Sequence, residues 1–405
     1  MPTESSPSAL NLSGRIPELD GLRGIAIGMV LLYHYFLVII QVPPGSGAAY
    51  LLATGRLAWS GVDLFFVLSG FLIGGILLDA RGSSNFFRVF YARRFLRIVP
   101  IYGVFLFGFF AFLLLIRAGK APAFADVPMN EIPWSTYPVF LQNFWMVAKN
   151  TMGMIVLSAT WSLAIEEQFY LTLPSLVHFL NSRRLLRLVI SGILLAPILR
   201  ITLRHFSPGN SFSYGYLMPC RADALLLGVL GAILFRNPFY RSWLEKNHRF
   251  LRVLLIILVG GAAFLTIKSP SGHDYLMSTV GFTWLAALYA CIIVYALTQR
   301  RSLLGSLLRT KWLGWLGTIA YGTYLLHTPV LLLISRPFWP KPMETNRFSD
   351  LWVSVLALVI TLVLCRLSWL YFEKPLVLLG HHSSYTFPSA VPQPQLRPAP
   401  ELPRP

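Results

Sequence analysis

Ten apolar stretches follow one another along the 405-residue chain, separated by polar connections. A helix needs about 20 mostly apolar residues to cross the hydrocarbon core of a bilayer. The stretches lie at residues 22–42, 57–79, 99–117, 155–180, 187–203, 217–235, 251–267, 277–298, 312–334 and 350–371. The pattern predicts an all-α integral membrane protein, folded as a bundle of about ten transmembrane helices.

Polar ends frame this predicted membrane domain. Residues 1–15 form a polar N-terminal segment, and residues 16–376 form the ten-helix domain. Residues 377–405 end in "PQPQLRPAPELPRP", a composition that cannot build an apolar core. We therefore predict a proline-rich, disordered cytoplasmic tail over residues 377–405.

Composition favours a membrane protein over a soluble domain, a nucleic-acid-binding protein or a disulfide-rich protein. Hydrophobic residues make up 55% of the chain and charged residues only 12%, whereas a soluble domain carries about 25% charged residues. The net charge of +18 would suit a nucleic-acid-binding protein, but the basic residues lie between the apolar stretches, so no nucleic-acid partner is predicted. Cys220, Cys291 and Cys365 lie within apolar stretches and predict no disulfide framework.

The basic residues also predict the orientation of the bundle. Most of the 34 Lys and Arg residues fall on alternate connections, beginning with the N-terminal segment. Cytoplasmic loops carry such an excess, so the N-terminus is predicted to be cytoplasmic. Because the number of predicted helices is even, the C-terminus is predicted to be cytoplasmic as well.

The first apolar stretch contains two ionisable residues, Arg23 and His34. The interval between them turns a helix by about 1100°, only about 20° past three full turns, and advances it by about 16 Å. Both side chains are therefore predicted to lie on one face, Arg23 at the cytoplasmic end and His34 in the outer half. Ionisable groups inside a bilayer often mark a functional site. The alternatives are an interfacial arginine and a histidine bonded to a neighbouring helix.

The second stretch combines an acidic residue with small ones. Asp63 lies near its outer end and either starts the helix or faces the bundle interior. Ser69, Gly70, Gly74 and Gly75 form a face on which another helix can pack closely.

The third and fourth stretches each contain a pair of like charges. Arg94 and Arg97 share a helix face because they are three residues apart. They are either signals of topology or a clamp for a phosphate group. Glu166 and Glu167 point about 100° apart, so they cannot both face one point. At least one of them is expected to meet a cation or a histidine.

Later stretches add Arg221 with Asp223, and Tyr324 about one helical turn before His327. These four residues either line a cavity, as candidate substrate-binding groups, or form polar pairs between helices. No metal site is predicted.

Six motifs resemble those of the acyltransferase-3 family of membrane O-acyltransferases. In this order they are "LDGLRGIAIGMVLLYHY", "GVDLFFVLSGFLI", "RRFLRIVPIY", "TWSLAIEEQFY", "YGTYLLHTP" and "FEKP". The resemblance extends to about residue 376 and implies ten core helices in a bacterial inner membrane, surrounded by membrane lipids. Many relatives carry a secreted hydrolase-like domain after the helices, and none is expected here.

The resemblance also implies the substrates. The donor would be a cytoplasmic acyl-CoA, most simply acetyl-CoA, and the acceptor a hydroxyl group, often on a carbohydrate or lipid-linked glycan of the cell envelope. The family's arginine on the first helix matches Arg23, and its Arg-x-x-Arg motif matches Arg94 and Arg97. These three residues would bind the phosphates of coenzyme A.

Acyl transfer to an alcohol needs a base that takes the hydroxyl proton. The family's histidine matches His34, and a histidine, with an ordinary pKa near 6.5, suits this role. Glu167, Glu166 or Asp63 could orient it, as a third group orients the base in other enzymes. The family's buried glutamate motif matches Glu166 and Glu167. A covalent acyl-histidine is the alternative to a general base.

The main alternative function is transport. Buried Arg, His and Glu residues also suit a proton-coupled transporter, or a flippase of a polar or lipid-linked substrate. Such carriers often contain paired halves, which this sequence does not show. A non-catalytic scaffold is disfavoured because burying several ionisable residues is costly. Binding of coenzyme A would separate the enzyme from both alternatives.

Overall fold

A computed structural model describes residues 16–388, except 41–46, 48–54, 122–123, 125–131, 270–273 and 340–347. The predicted segment 1–15 and residues 389–405 of the predicted tail lie outside the described residues. The regular elements are helices, as predicted. Apart from short helical turns they are α1 (Pro17–Leu32), α2 (Gly61–Ala80), α3 (Phe86–Arg117), α4 (Gln142–Lys149), α5 (Thr160–Phe179), α6 (Ser182–Phe206), α7 (Met218–Arg236), α8 (Pro238–Lys246), α9 (His248–Lys268), α10 (Phe282–Thr298), α11 (Leu303–Leu308), α12 (Lys311–Thr318), α13 (Ala320–Ser335), α14 (Leu351–Ser368) and α15 (Lys374–His381).

Helices occupy all ten positions at which the sequence predicts a span. Seven of the described helices are long and apolar enough to cross a membrane, or eight if the bent pair α12 and α13 is one span. The helices α1 and α5 are not among them. The structure thus supports an all-helical membrane protein, while the count of ten and the cytoplasmic placement of both termini stay predictions.

The helices differ in how deeply they lie within the bundle. In α2 67% of the apolar span is buried inside the protein, against 22% in α6 and in α9. Large apolar side chains such as Leu194 on α6 and Ile256 on α9 are exposed. Because lipid tails are as apolar as leucine, these outer faces suit contact with lipid, and α2 forms the centre of the bundle.

Glycines allow α2 and α7 to pack closely, which confirms the predicted packing face of α2. A Cβ atom on Gly70 would lie 1.8 Å from the carbonyl oxygen of Leu225. A Cβ atom on Gly228 would lie 2.1 Å from the carbonyl oxygen of Val67. The two backbones can approach this closely only because neither glycine has a side chain.

Gly70→Ala should therefore destabilise the bundle. The added methyl group must displace the backbone of α7, and overpacking of this kind costs about 1–3 kcal/mol. Gly108→Ala on α3 is the matched control, because a Cβ atom there meets nothing within 4 Å. The measurement is unfolding of the purified protein in mixed micelles. Equal stability of the two variants would contradict the close packing of α2 and α7.

A buried carboxylate fastens the start of α1. Glu18 is 0% exposed and accepts hydrogen bonds from Arg300 at 2.9 and 3.0 Å and from Arg309 at 3.1 Å. Burial alone would raise the pKa of Glu18, but the hydrogen bonds from the two arginines hold this pKa below its ordinary value. Glu18 is therefore ionised at neutral pH and fixes the end of α1 that carries Arg23.

The C-terminal segment stays against the bundle beyond residue 377, where the sequence predicts the tail to begin. The helix α15 extends to His381 and packs against α3. The Asn85 side chain donates to the Ser384 carbonyl and accepts from the Thr386 amide, both at 2.9 Å. The described part of the tail thus differs from the predicted disorder, because polar residues can dock through hydrogen bonds without building a core.

Candidate active site

A cavity of about 160 Å³ lies among the central helices. Its lining is amphipathic. The charged and polar members come from α1, α2, α3, α5 and α13: Arg23, Ser69, Arg94, Arg97, Ser162, Glu166, Tyr170, Tyr321 and Tyr324. The apolar members include Val62, Phe65, Phe66, Leu72 and Ile76.

A broken helix forms part of the wall. The chain bends by 71° between α12 and α13, and Gly317 and Ala320, on either side of the bend, line the cavity. Irregular backbone at membrane depth is tolerated where it is buried in protein or lines a cavity. The break is therefore compatible with its position in the cavity wall.

Three arginines meet at one end of the cavity, which is the predicted cytoplasmic end. Arg94 and Arg97 both reach the cavity from α3, as their spacing predicts, and Arg23 reaches it from α1. Arg23 forms an ion pair with Asp20 at 2.9 Å. Within the described residues, neither Arg94 nor Arg97 forms an ion pair with a carboxylate. This end of the cavity can therefore hold an anion such as a phosphate.

The two adjacent glutamates face different surroundings, as their 100° separation predicts. Glu166 lines the cavity, and its oxygens accept hydrogen bonds from Ser69 at 2.9 Å and Tyr170 at 3.4 Å. Glu167 does not line it, and Glu167 Oε1 is buried without a hydrogen-bond partner among the described residues. At least one of the two glutamates was expected to contact a cation or a histidine, but the hydrogen-bond donors to Glu166 are the hydroxyl groups of Ser69 and Tyr170.

His34 lies beyond the other end of the cavity. The helix α1 changes into a π-helical turn over Tyr33–Leu37, a feature that is frequent at functional sites. Arg23 lines the cavity but His34 does not. The helix is regular from Arg23 to Leu32, so the two side chains keep nearly the same direction, but His34 lies past the cavity lining along the helix axis.

The structure brings His34 and His327 together. Their ring centres are 4.8 Å apart, and the ring of His327 lies 5.6 Å from that of Tyr324, which lines the cavity. Going outward from the arginines, the cavity is therefore followed by Tyr324, which lines its far end, then by His327 and then by His34. The spacing of Tyr324 and His327 correctly predicts a shared helix face.

Backbone carbonyls define which nitrogen of each histidine carries a proton. His34 Nδ1 lies 3.0 Å from the Val30 carbonyl oxygen, and His327 Nδ1 lies 2.7 Å from that of Tyr324. A carbonyl oxygen can only accept, so each Nδ1 is the donor, and Nε2 is the acceptor in the neutral ring. His327 Nε2 already pairs with the Thr328 hydroxyl at 3.1 Å. His34 Nε2 is thus the nitrogen suited to take a proton from a substrate.

The structure places Asp63, Arg221 and Asp223 in buried ion pairs outside the cavity lining. Asp63 pairs with Arg221, and Asp223 pairs with Arg200 at 2.9 Å. Among the described residues, His34 is oriented by the hydrogen bond that its Nδ1 donates to the Val30 carbonyl, and not by a bond to Asp63 or either glutamate.

Two buried polar side chains of the bundle, Arg200 and Tyr35, were not singled out from the sequence. Arg200 is 0% exposed and the largest fully buried side chain among the described residues. Tyr35 is also 0% exposed, and its hydroxyl lies 2.8 Å from both the His327 carbonyl oxygen and Thr361 Oγ1. A polar residue inside an apolar stretch is the signal that could have found both.

Comparison with known proteins identifies the family. Residues 16–370 match the acyltransferase-3 family, which is described as an acyltransferase domain. The chain belongs to this family. Membership confirms the resemblance of the six motifs, supports an acyltransferase rather than a transporter, and agrees with the helical membrane architecture. No solved structure matches the chain.

The similar curated proteins are larger enzymes. One is the putative peptidoglycan O-acetyltransferase YrhL of Bacillus subtilis, 28% identical over 388 residues, covering 91% of this chain and 56% of the relative. Another is the peptidoglycan O-acetyltransferase OatA of Listeria monocytogenes, 28% identical over 387 residues, covering 89% and 56%. The O-acetyltransferase OatA of Staphylococcus aureus is 25% identical over 380 residues, covering 89% and 57%. The chain spans about half the length of these relatives.

Proposed function

We propose that the protein transfers an acyl group, most simply acetyl, from a cytoplasmic acyl-CoA to a hydroxyl group of a cell-envelope carbohydrate or lipid-linked glycan. Arg23, Arg94 and Arg97 bind the phosphates of coenzyme A. His34 acts as the general base. The protein works in a bacterial inner membrane with both termini in the cytoplasm.

The arginine end of the cavity is the observation that carries the proposal. Three guanidinium groups meet there, and within the described residues only Arg23 has a carboxylate partner. Guanidinium groups form bidentate hydrogen bonds with phosphate oxygens, and coenzyme A is rich in phosphate. Beyond this end, apolar residues such as Leu72 and Ile73 line the cavity and suit the uncharged arm that carries the thioester.

The acceptor approaches from the side of His34. The proton of the attacking hydroxyl passes to His34 Nε2, because Nδ1 is occupied by the Val30 carbonyl. His34 is partly exposed, which leaves room for an acceptor beside it. The names of two relatives specify peptidoglycan O-acetylation, and we extend a glycan acceptor to this chain on that basis.

Release of coenzyme A tests the proposal. Purified protein in nanodiscs receives acetyl-CoA, with and without an envelope-glycan extract, and the free thiol is measured over time. We expect release that depends on the acceptor, together with acetyl esters on the glycan. If the protein neither bound nor turned over acetyl-CoA or longer acyl-CoAs, an acyl-CoA donor would be rejected.

Replacing the paired arginines should weaken donor binding. Arg94→Gln or Arg97→Gln removes a charged hydrogen-bond donor worth about 1.5–3 kcal/mol, so the Kd for acetyl-CoA should rise about tenfold to a hundredfold. Equilibrium binding to the purified protein measures this change directly. Arg88→Gln is the control, because Arg88 lies on the same helix but is exposed and does not line the cavity. An unchanged Kd in both test variants would reject the phosphate clamp.

A further inference from the structure

Two hydroxyl groups meet at the end of the cavity nearest the histidines. Ser162 Oγ on α5 and Tyr324 Oη on α13 lie 2.6 Å apart. Both side chains line the cavity. The Ala159 carbonyl oxygen lies 3.2 Å from Ser162 Oγ and 3.1 Å from Tyr324 Oη. We call these two side chains the hydroxyl pair.

The protons of the hydroxyl pair can be counted. The Ala159 carbonyl can only accept, so one hydroxyl proton points to it and the other lies between Ser162 and Tyr324. In one arrangement Ser162 donates to Tyr324 Oη, and Tyr324 donates to Ala159. Hydroxyl protons rotate to suit the acceptor, so a stronger acceptor in the cavity would receive the proton of Tyr324 in place of the carbonyl.

Acyl transfer creates such an acceptor. When an alcohol attacks an acyl carbonyl, negative charge develops on the carbonyl oxygen, and enzymes place fixed hydrogen-bond donors there. The arginines lie at the opposite end of the cavity, and Glu166 is a hydrogen-bond acceptor. Phe65, whose ring lies 6.1 Å from that of Tyr324, cannot donate a hydrogen bond. The hydroxyl pair is thus the donor group of the lining that lies nearest the two histidines.

We propose that the hydroxyl pair is the oxyanion site of the acyl transfer. Tyr324 Oη–H donates to the carbonyl oxygen of the acyl donor, while Ser162 Oγ–H donates to Tyr324 Oη. This assignment rests on the proposed function. Hydrogen bonds in such a chain strengthen one another, so Ser162 makes Tyr324 the better donor.

The step balances with groups already named. The acceptor oxygen bonds to the carbonyl carbon, its proton passes to His34 Nε2, and the carbonyl π electrons move to the oxygen that Tyr324 holds. The C=O bond then re-forms, the C–S bond breaks, and the coenzyme A thiolate leaves with the proton from His34. Neither hydroxyl of the pair loses its proton.

Tyr324→Phe tests the proposal, because it removes the donor and keeps the ring. The single-turnover rate of acyl transfer at saturating acetyl-CoA should fall about 10²–10³-fold, as on loss of an oxyanion-site donor. The Kd for acetyl-CoA and the shape of the pH–rate profile should not change. Ser162→Ala should have a smaller effect, and the double variant should be no slower than Tyr324→Phe, because the two groups act as a unit.

A second serine–tyrosine pair supplies the control. Ser60 Oγ and Tyr289 Oη are buried and hydrogen-bonded to each other, but neither lines the cavity. Tyr289→Phe and Ser60→Ala remove the same kind of hydrogen bond and should leave the transfer rate within about twofold, with a loss of stability like that of the test variants.

Each outcome decides between the proposals. A wild-type protein that transfers no acyl group would overturn the proposed function and the oxyanion site together. An active wild-type protein with an unchanged rate in Tyr324→Phe would overturn the oxyanion site alone. The same would follow if Tyr289→Phe slowed transfer as much as Tyr324→Phe, since the loss would then reflect packing.

Discussion

His34→Ala should abolish acyl transfer while the protein still inserts and binds its donor. General base catalysis contributes about 10²–10⁴-fold to a rate. His34 is placed for that role because its Nδ1 is bound to the Val30 carbonyl, which leaves Nε2 to accept a proton. The side chain does not line the cavity that would hold the donor, so the Kd for acetyl-CoA should stay within about twofold. The measurements are coenzyme A release and acetyl-CoA binding in nanodiscs.

Two other histidines make this result specific. His178 lies on α5 among the rings of Phe86 and Phe87, away from the cavity lining, and His178→Ala should transfer at the wild-type rate. His327 packs against His34, but its Nε2 is already paired with Thr328. Normal activity in His34→Ala would remove His34 from the mechanism. If His327→Ala lost activity while His34→Ala did not, His327 would be the base.

The sequence predicts the parts of the site that depend on local spacing. Three-residue spacing placed Arg94 and Arg97 on one face, and both reach the cavity. The turn of about 100° between adjacent helical positions correctly predicted that Glu166 and Glu167 face different surroundings. The glycines of α2 marked the face on which α7 packs. In each case one regular helix holds the residues, so a 3.6-residue period is sufficient to relate them.

Features that join distant segments could not be read from the spacing. The approach of His34 to His327 brings together the first and the ninth predicted spans. No residue pattern predicted the π-helical turn at Tyr33 or the bend between α12 and α13. A spacing argument shows which side chains share a face, but it does not show what that face meets.

The partners of buried charges illustrate the same limit. Asp63 was a candidate to orient His34, and Asp223 a candidate for substrate binding, because carboxylates inside a bilayer often mark a site. In the structure each is paired with a buried arginine, Arg221 and Arg200. An ion pair between helices and a substrate contact look alike in sequence, so only the fold distinguishes them.

Arg200→Met should destabilise the protein by about 3–5 kcal/mol, the cost of breaking a buried ion pair and leaving one charge unpaired. Arg200 and Asp223 are 0% and 1% exposed. Besides its ion pair with Asp223, Arg200 donates to Thr283 Oγ1 at 2.6 Å and to the Thr279 carbonyl at 3.1 Å. One side chain thus joins α6, α7 and the start of α10. The free energy of unfolding in mixed micelles measures the loss.

The compensating variant separates the charge from the packing. Asp223→Asn combined with Arg200→Met removes the stranded carboxylate charge, so the double variant should recover part of the stability that Arg200→Met loses. Arg187→Met is the matched control, because Arg187 lies on the same helix and is exposed. A double variant as unstable as Arg200→Met would show that the arginine acts through its contacts with Thr279 and Thr283. Equal stability of Arg200→Met and Arg187→Met would contradict a structural role for the ion pair of Arg200 and Asp223. The two residues would then be candidates for a functional role, because a buried charge pair in a membrane either holds helices together or serves the chemistry.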